Sequence, residues 1–206
     1  MDERTDRHTH EATLGDTLDF INTLDFGRDG WADEIATPGA AVDWLARRGL
    51  VHADACADDA DRNLQRIHAV RRALRQIGEA MVADRPAAPA SLAEANRVLR
   101  ARAILELVPS EDGVALSHRH VGDPIADSLA RLVEPLVAEM AAGHPDRIRI
   151  CASDTCRWFF FDTSRTGRRR WCDMSTCGNR AKAARHRARQ RSPVEVDHSP
   201  TVTAGA

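Results

Sequence analysis

Four of the chain's five cysteines fall as Cys151-x4-Cys156-x15-Cys172-x4-Cys177, inside a stretch crowded with arginine and aromatic residues. Two close pairs at that separation suit four thiolates around one tetrahedral zinc ion. The N-terminus, MDERTDRHTHEAT, has no apolar centre of a signal peptide, and no run approaches the ~20 apolar residues of a membrane span. Both features predict a cytoplasmic protein, where thiols stay reduced and paired cysteines read as metal ligands before disulfides. Four thiolates leave no open coordination position, which argues against hydrolytic zinc chemistry; a redox switch, in which an oxidant ejects the zinc, stays open. The fifth cysteine, Cys56, lies among carboxylates in HADACADDAD. Negative charge there disfavours its thiolate, so it reads as inert.

Between the ligand pairs, RWFFFDTSRTGRRRW predicts an aromatic strand, a turn at SRTG and a return strand ending at Trp171. Such a hairpin would deliver Cys172 beside Cys151 and Cys156. Cys177 opens GNRAKAARHRARQR, which is rich in helix formers, and a helix N-terminus favours a thiolate. Knuckle, hairpin and helix together predict a small treble-clef-like zinc finger over residues 147–191. A module of ~45 residues with few aliphatics has too small a core to fold unaided. Metal binding can supply the difference, on the order of 10 kcal/mol for small fingers.

Charge is distributed unevenly. Residues 147–191 carry 13 Lys/Arg against three Asp, a net of +10, while the rest of the chain carries −12 within a formal total of −2. Such a split marks a basic module with an anionic partner. The terminal helix bears Arg180, Lys182, Arg185, Arg187, Arg189 and Arg191, with only Ala181, Ala183, Ala184 and Ala188 as apolar content. Arg165, Arg168, Arg169 and Arg170 extend the patch over the hairpin. Counterion release from such contacts gives salt-dependent affinity for nucleic acid. Double-stranded DNA is favoured over RNA, because a basic helix suits the major groove. His186 reads as facing solvent or phosphate. Trp158, Phe159, Phe160, Phe161 and Trp171 are expected mostly in the hairpin's small core, with base stacking as the alternative. Docking of the patch on the chain's own acidic remainder, or on an acidic protein, is the competing reading.

The expected fold class is α+β: a mainly helical N-terminal domain with a small β-hairpin, residues 13–143, then the finger. Residues 1–12 and 192–206 are expected to be disordered, and the texture of the sequence changes at residues 143–147. LGDTLDFINTLDF predicts a short amphipathic helix, though a strand fits its length. GRDGWADE reads as a loop. Thr37 and Pro38 start a helix carrying Val42, Trp44 and Leu45, which Gly49 ends. The longest helix spans roughly residues 58–84, with Leu64, Ile67, Val70, Leu74, Ile77 and Met81 as its stripe and Arg66, Arg71, Arg72 and Arg75 on its surface. Ser91 and Glu94 suggest a capping box for a helix reaching about residue 102. AILELV and VALSH flank a hairpin turn, and Asp123-Pro124 starts a helix closed by Gly143. Residues 1–146 contain no nucleophile elbow, phosphate loop or metal motif with an open position, so no enzyme is expected. His68, beside the long helix's stripe, could serve a pocket but reads rather as a packed or half-exposed histidine.

WCDMSTCGNRAKAARHR, residues 171–187, closely resembles the CGNR zinc finger family. The signature residues are Cys177, Gly178, Asn179 and Arg180, with Trp171, Cys172, Cys151 and Cys156 in place. That resemblance implies DNA binding around one structural Zn2+. In this chain Gly178 would let the backbone approach the metal, Asn179 would hydrogen-bond near the thiolates or cap the turn, and Arg180 is the helix's first cation. LDFINTLDF, residues 18–26, and TPGAAVDWLARRGL, residues 37–50, look like the ABATE domain, described as a stress-induced transcription regulator. The two resemblances cover residues ~14–190 and imply a transcription regulator; the first functional expectation is that the finger contacts DNA while the N-terminal domain forms a homodimer or senses a small-molecule effector. A zinc-thiolate stress sensor or protein-interaction module is the alternative.

Overall fold

The computed structural model describes residues 12–27, 30–51, 59–101, 104–110, 113–119 and 123–191. The two expected disordered ends (residue 12 excepted) and Cys56 lie outside those residues. Helix α1 (Leu14–Asn22) opens on a capping box. The Thr13 hydroxyl accepts the Asp16 N–H at 3.2 Å, and the Asp16 carboxylate accepts the Thr13 N–H at 2.8 Å. The helix buries Leu18, Phe20 and Ile21. Strand β1 (Leu24–Gly27) then pairs antiparallel with β2 (Gly30–Asp33), Leu24 opposite Asp33. A strand replaces part of the loop expected over GRDGWADE. Gly30, Trp31 and Ala32 are all exposed, so no apolar alternation announces it.

Helix α2 (Pro38–Arg47) begins as its sequence predicts. The Thr37 hydroxyl accepts the Ala40 N–H at 3.3 Å and Pro38 takes the first turn. Trp44 and Leu45 point inward, Phe20 lies 5.5 Å from the Trp44 ring, and Gly49 releases the chain at φ +64°. Helix α3 (Ala60–Val82) buries Ile67, Val70, Leu74 and Ile77. Arg71 and Arg75 are buried with them, contrary to the surface position read from sequence. Arg71 grips Asp33 with two bonds of 2.6 Å and donates to the Thr23 hydroxyl at 2.9 Å. Arg75 donates to the Ile21 carbonyl at 3.3 Å. A guanidinium can be buried where backbone and carboxylate oxygens receive its protons, and these lie across the fold, invisible to local periodicity. His68 is half-buried, one of the two placements expected for it, with its Nε2 2.8 Å from the Ile35 carbonyl oxygen.

Helix α4 (Pro89–Leu99) starts two residues before the predicted capping residue. Pro89 at its first turn sets the start. The Ser91 hydroxyl donates instead to Gln76 at 2.6 Å, and Glu94 holds Arg97. Strands β3 (Ile104–Ser110) and β4 (Gly113–Arg119) form the expected hairpin. Helix α5 (Pro124–Ala142) is capped by Asp123, buries Ile125, Leu129, Leu132, Val133 and Leu136, and ends on Gly143 at φ +82°. Among the described residues no helix is long and apolar enough to cross a membrane.

After a single 3-10 turn, β5 (Ile148–Ile150) pairs antiparallel with β6 (Phe159–Phe161), Ile150 opposite Phe159. This corrects the predicted hairpin, whose second strand was to run to Trp171. Residues 162–170 are folded into a loop by Asp162, whose carboxylate accepts the N–H groups of Ser164 and Arg169. Ile148 and Phe159 belong to one buried cluster with Phe20, Trp44, Val70 and Leu74. Contacts divide the chain into residues 1–172 and residues 173–206. The described part of the second unit is a π-helical turn (Met174–Gly178) and α6 (Asn179–Arg191). The fold class is α+β, with small β-hairpins, a cysteine cluster and a helix after it, as the sequence predicts.

Candidate metal centre

The loop between β5 and β6 carries the first two cysteines. The Cys151 N–H donates to the Trp158 carbonyl at 2.8 Å, closing the loop. Inside it the N–H groups of Cys156 and Arg157 donate to the Ser153 carbonyl at 3.0 and 3.2 Å. Arg157 takes φ +56° at the exit of this tight turn. The third cysteine, Cys172, follows a segment tied to the loop by the Ala152 N–H, which donates to the Arg170 carbonyl at 2.9 Å. Cys177 lies in the π-helical turn, two residues before α6 rather than at its first residue. Asp173 caps that turn, accepting from the Thr176 N–H at 2.7 Å and from the hydroxyls of Ser175 and Thr176 at 2.6 and 2.9 Å. Ser175 and Thr176 hold its carboxyl down at about 2. Asn179 donates to the Ser175 carbonyl at 3.0 Å, the turn-capping role among those its motif suggests.

The Sγ atoms of Cys151, Cys156, Cys172 and Cys177 all lie within 4.8 Å of one another, three of the residues buried and Cys172 half-buried. Cys156 and Cys172 are 3.6 Å apart, well beyond the ~2.05 Å of a disulfide. A tetrahedron with metal–sulfur bonds of ~2.3 Å has sulfur–sulfur edges of about 3.8 Å, close to the 3.6 Å between Cys156 and Cys172 and inside the 4.8 Å that bounds every pair. Burial pushes the Cys172 thiol up, and the neighbouring Cys156 and Cys151 push it further. Four thiols crowded this way cannot all ionise without a cation between them. An all-sulfur set of four is the donor chemistry zinc favours in closed structural sites, so the residues fit the ion.

Around the cluster sit residues that hold it in shape. The Arg169 guanidinium donates to the carbonyls of Trp171, at 2.8 Å, and of Cys172, and lies 5.2 Å from the Phe160 ring. It therefore braces the segment bearing Cys172. Asp162 is fully buried, and Ser164, the Arg169 N–H and Arg149 hold its carboxyl down at about 2. Arg147 donates to the carbonyls of Asp162 and Ser164 at 3.1 and 2.5 Å. Trp171 is half-buried, with Arg170 over its ring at 5.2 Å. Arg165, Arg168 and Arg170 are exposed on the loop. In the second unit Gly178 is buried, whereas Arg180, Lys182, Arg185, His186, Arg187 and Arg189 are exposed along α6, which Arg191 ends.

Sequence reasoning missed the residues that seat β5 and β6. The Asn22 amide donates to the Phe159 carbonyl at 2.9 Å and its oxygen accepts the Phe159 N–H at 2.8 Å. The Trp158 indole donates to Asp25 at 2.7 Å, and the Phe159 ring lies on Gly78 of α3. Asn22, a buried polar residue at the end of the apolar face of α1, was the available signal, as was the lone glycine inside a helical stripe. Beside β5, a groove of about 690 Å³ is lined by Met81, Arg85, Met140, Asp146 and Arg149 among others.

A family model described as "CGNR zinc finger" matches residues 147–190, and one described as "Putative stress-induced transcription regulator", the ABATE domain, matches residues 17–144. Among curated proteins none matches the chain.

Proposed function

Because the chain belongs to the ABATE family and carries a CGNR zinc finger, we propose that it is a transcription regulator that binds double-stranded DNA through α6. One structural Zn2+ on Cys151, Cys156, Cys172 and Cys177 would hold its finger together. One observation carries the reading. Immediately after the four-cysteine cluster comes a thirteen-residue helix that contains no acidic residue and on which Arg180, Lys182, Arg185, Arg187 and Arg189 are exposed. Bound zinc would supply charge neutralisation and cross-linking, and four thiolates leave it no position for a substrate. Arg165, Arg168 and Arg170 are additional phosphate contacts, while Arg169 acts by bracing Cys172. The N-terminal unit serves regulation, as a homodimer or through an effector, for which the groove beside Arg149 offers apolar and charged contacts.

The test is fluorescence anisotropy of the metal-loaded full chain on duplex DNA over a salt series. Affinity is expected to fall steeply with salt, and to disappear with a zinc chelator or with Cys172→Ser. Binding unchanged by either treatment refutes the reading. A second reading, a thiol stress sensor, is favoured by the 3.6 Å separation of Cys156 and the half-exposed Cys172. Two-electron oxidation by a peroxide would join those two sulfurs as a disulfide, reduce the peroxide to water or alcohol, and remove two of the four ligands. Zinc release at peroxide levels that leave other thiols intact would support it.

A further inference from the structure

The side chains of α6 are sorted by direction around its axis. At about 100° per residue, Arg180 and Arg187 fall within about 20° of each other, and Lys182, Arg185 and Arg189 share a sector of about 60° on the opposite side. Between these two cationic rows lie two uncharged sides. Asn179, His186 and Gln190 share one sector of about 40°, and Ala181, Ala184 and Ala188 share the other, of about 60°. His186 and Gln190 are exposed, and His186 Nε2 is hydrogen-bonded to the Gln190 amide at 3.0 Å. The helix thus has cations left and right, hydrogen-bonding groups on one side between them, and methyl groups on the other.

That arrangement discriminates among polyanions. A membrane, a single strand or an acidic protein face presents negative charge from one direction, and a helix suited to it gathers its cations on one side. The major groove of B-form DNA is different. It is about 12 Å wide, close to the 10–12 Å diameter of a helix, and it presents a phosphate wall on each side with base edges on its floor. The deep, narrow major groove of A-form RNA does not admit side chains in this way. We propose that α6 enters the major groove of B-form DNA with His186 and Gln190 against the base edges. Arg180 and Arg187 then reach one phosphate backbone and Lys182, Arg185 and Arg189 the other, with Ala181, Ala184 and Ala188 turned away. This rests on the DNA-binding reading above and adds to it an orientation and the residues that read sequence. Glutamine pairs with adenine through two hydrogen bonds in that groove, which makes an adenine the expected base opposite Gln190.

The test uses the metal-loaded full chain, a duplex selected from random-sequence DNA and a scrambled duplex of equal length. Gln190→Ala and His186→Ala are each expected to lower the ratio of affinities for selected over scrambled duplex by about tenfold, leaving scrambled-duplex affinity and salt dependence unchanged. Arg187→Ala and Arg189→Ala, one from each row, should weaken both duplexes equally and each reduce the salt slope by about one. Ala188→Gln should change neither quantity. All these side chains are exposed, so unchanged circular dichroism and melting serve as the folding control. The orientation is overturned if Gln190→Ala and His186→Ala leave the ratio intact, if Ala188→Gln abolishes binding, if the wild type shows no preference among duplexes, or if it prefers RNA or single strands. A wild type that binds no nucleic acid at all overturns the functional reading itself, a result distinct from binding with an unaltered preference.

Discussion

Gly78→Ala probes the joint between the helical core and the cysteine-bearing hairpin. A β-carbon on Gly78 would lie 2.5 Å from Cε1 of Phe159 and 3.3 Å from its Cδ1 and Cζ. Carbon atoms pack at about 3.5–4.0 Å, so the ring would have to retreat by about 1 Å. It has little room to do so. Phe159 is only 2% exposed, its N–H and carbonyl are both held by Asn22, and it is paired with Ile150 in the ladder. Overpacking of a core costs about 1–3 kcal/mol, while alanine in place of glycine inside a helix returns about 1 kcal/mol. The close approach of a buried, doubly anchored ring puts the cost toward the upper end of its range, and the variant should be destabilised by up to about 2 kcal/mol, or up to roughly 8 °C for a chain of this size. Urea unfolding of the metal-loaded chain, followed by far-UV circular dichroism, gives the midpoint. The measurement is repeated in a Phe159→Leu background, where the obstructing ring edge is gone and Gly78→Ala should turn neutral or stabilising by up to about 1 kcal/mol. Equal effects in the two backgrounds would mean that the ring does not obstruct the alanine, and the reasoning would fail.

Asn22→Ala removes both partners of the Phe159 peptide and should cost about 2–4 kcal/mol in the same urea assay, since two buried backbone groups lose their bonds; a loss below about 0.5 kcal/mol would show that water or a shifted backbone replaces them. For Asp33, burial raises the carboxyl pKa, but the Arg71 hydrogen bond and charge pull it lower overall. The pair's contribution is therefore present above the unfolded carboxylate value and lost as pH falls through the lower folded one, so the stability gap between wild type and Asp33→Asn should close below the ordinary carboxylate range, and a gap that widens there would contradict the assignment. Chelation should remove the helical circular dichroism of α6, thirteen residues, while a cooperative transition reported by the buried Trp44 persists; loss of both signals together would show that the N-terminal core also depends on the metal.

The elements legible in the sequence are those whose cause is local. Thr37-Pro38, Asp123-Pro124, Gly49 and Gly143 set helix ends through bonds spanning a few residues, so the residue types alone announce them. The cysteine pairs are legible for the same reason, because two turns present the ligands. What escaped depends on partners distant in the chain. Arg71 is buried because Asp33 stands 38 residues away, and β6 pairs with β5 while its backbone is held by Asn22, 137 residues away. Strand β2 is exposed along most of its length, so neither its composition nor its alternation separates it from a loop. The aromatic run at Phe159–Phe161 suggested the finger's own small core; Phe159 serves the N-terminal core, a destination no pattern within the finger encodes.

The two family segments meet between residues 144 and 147, but packing divides the chain after Cys172. The reason lies in β5 and β6. Ile148 and Phe159 are part of the buried cluster built by α1, α2, α3 and α5, so the loop carrying Cys151 and Cys156 stands on a scaffold made without any metal contact. Cys172 is braced to the same scaffold through Arg169 and the Arg170 carbonyl. Cys177 is differently placed. It belongs to a short turn and an alanine- and arginine-rich helix that buries almost nothing. Isolated helices below about 12–15 residues are marginal in water, and Arg185 and Arg189 repel each other at the i, i+4 spacing. With three ligands on segments tied to a packed core and the fourth just before a cationic helix with little buried surface, metal binding should act mainly on that helix. Through β5 and β6, three of the four sulfurs are carried by segments tied to the helical core, while the fourth is not.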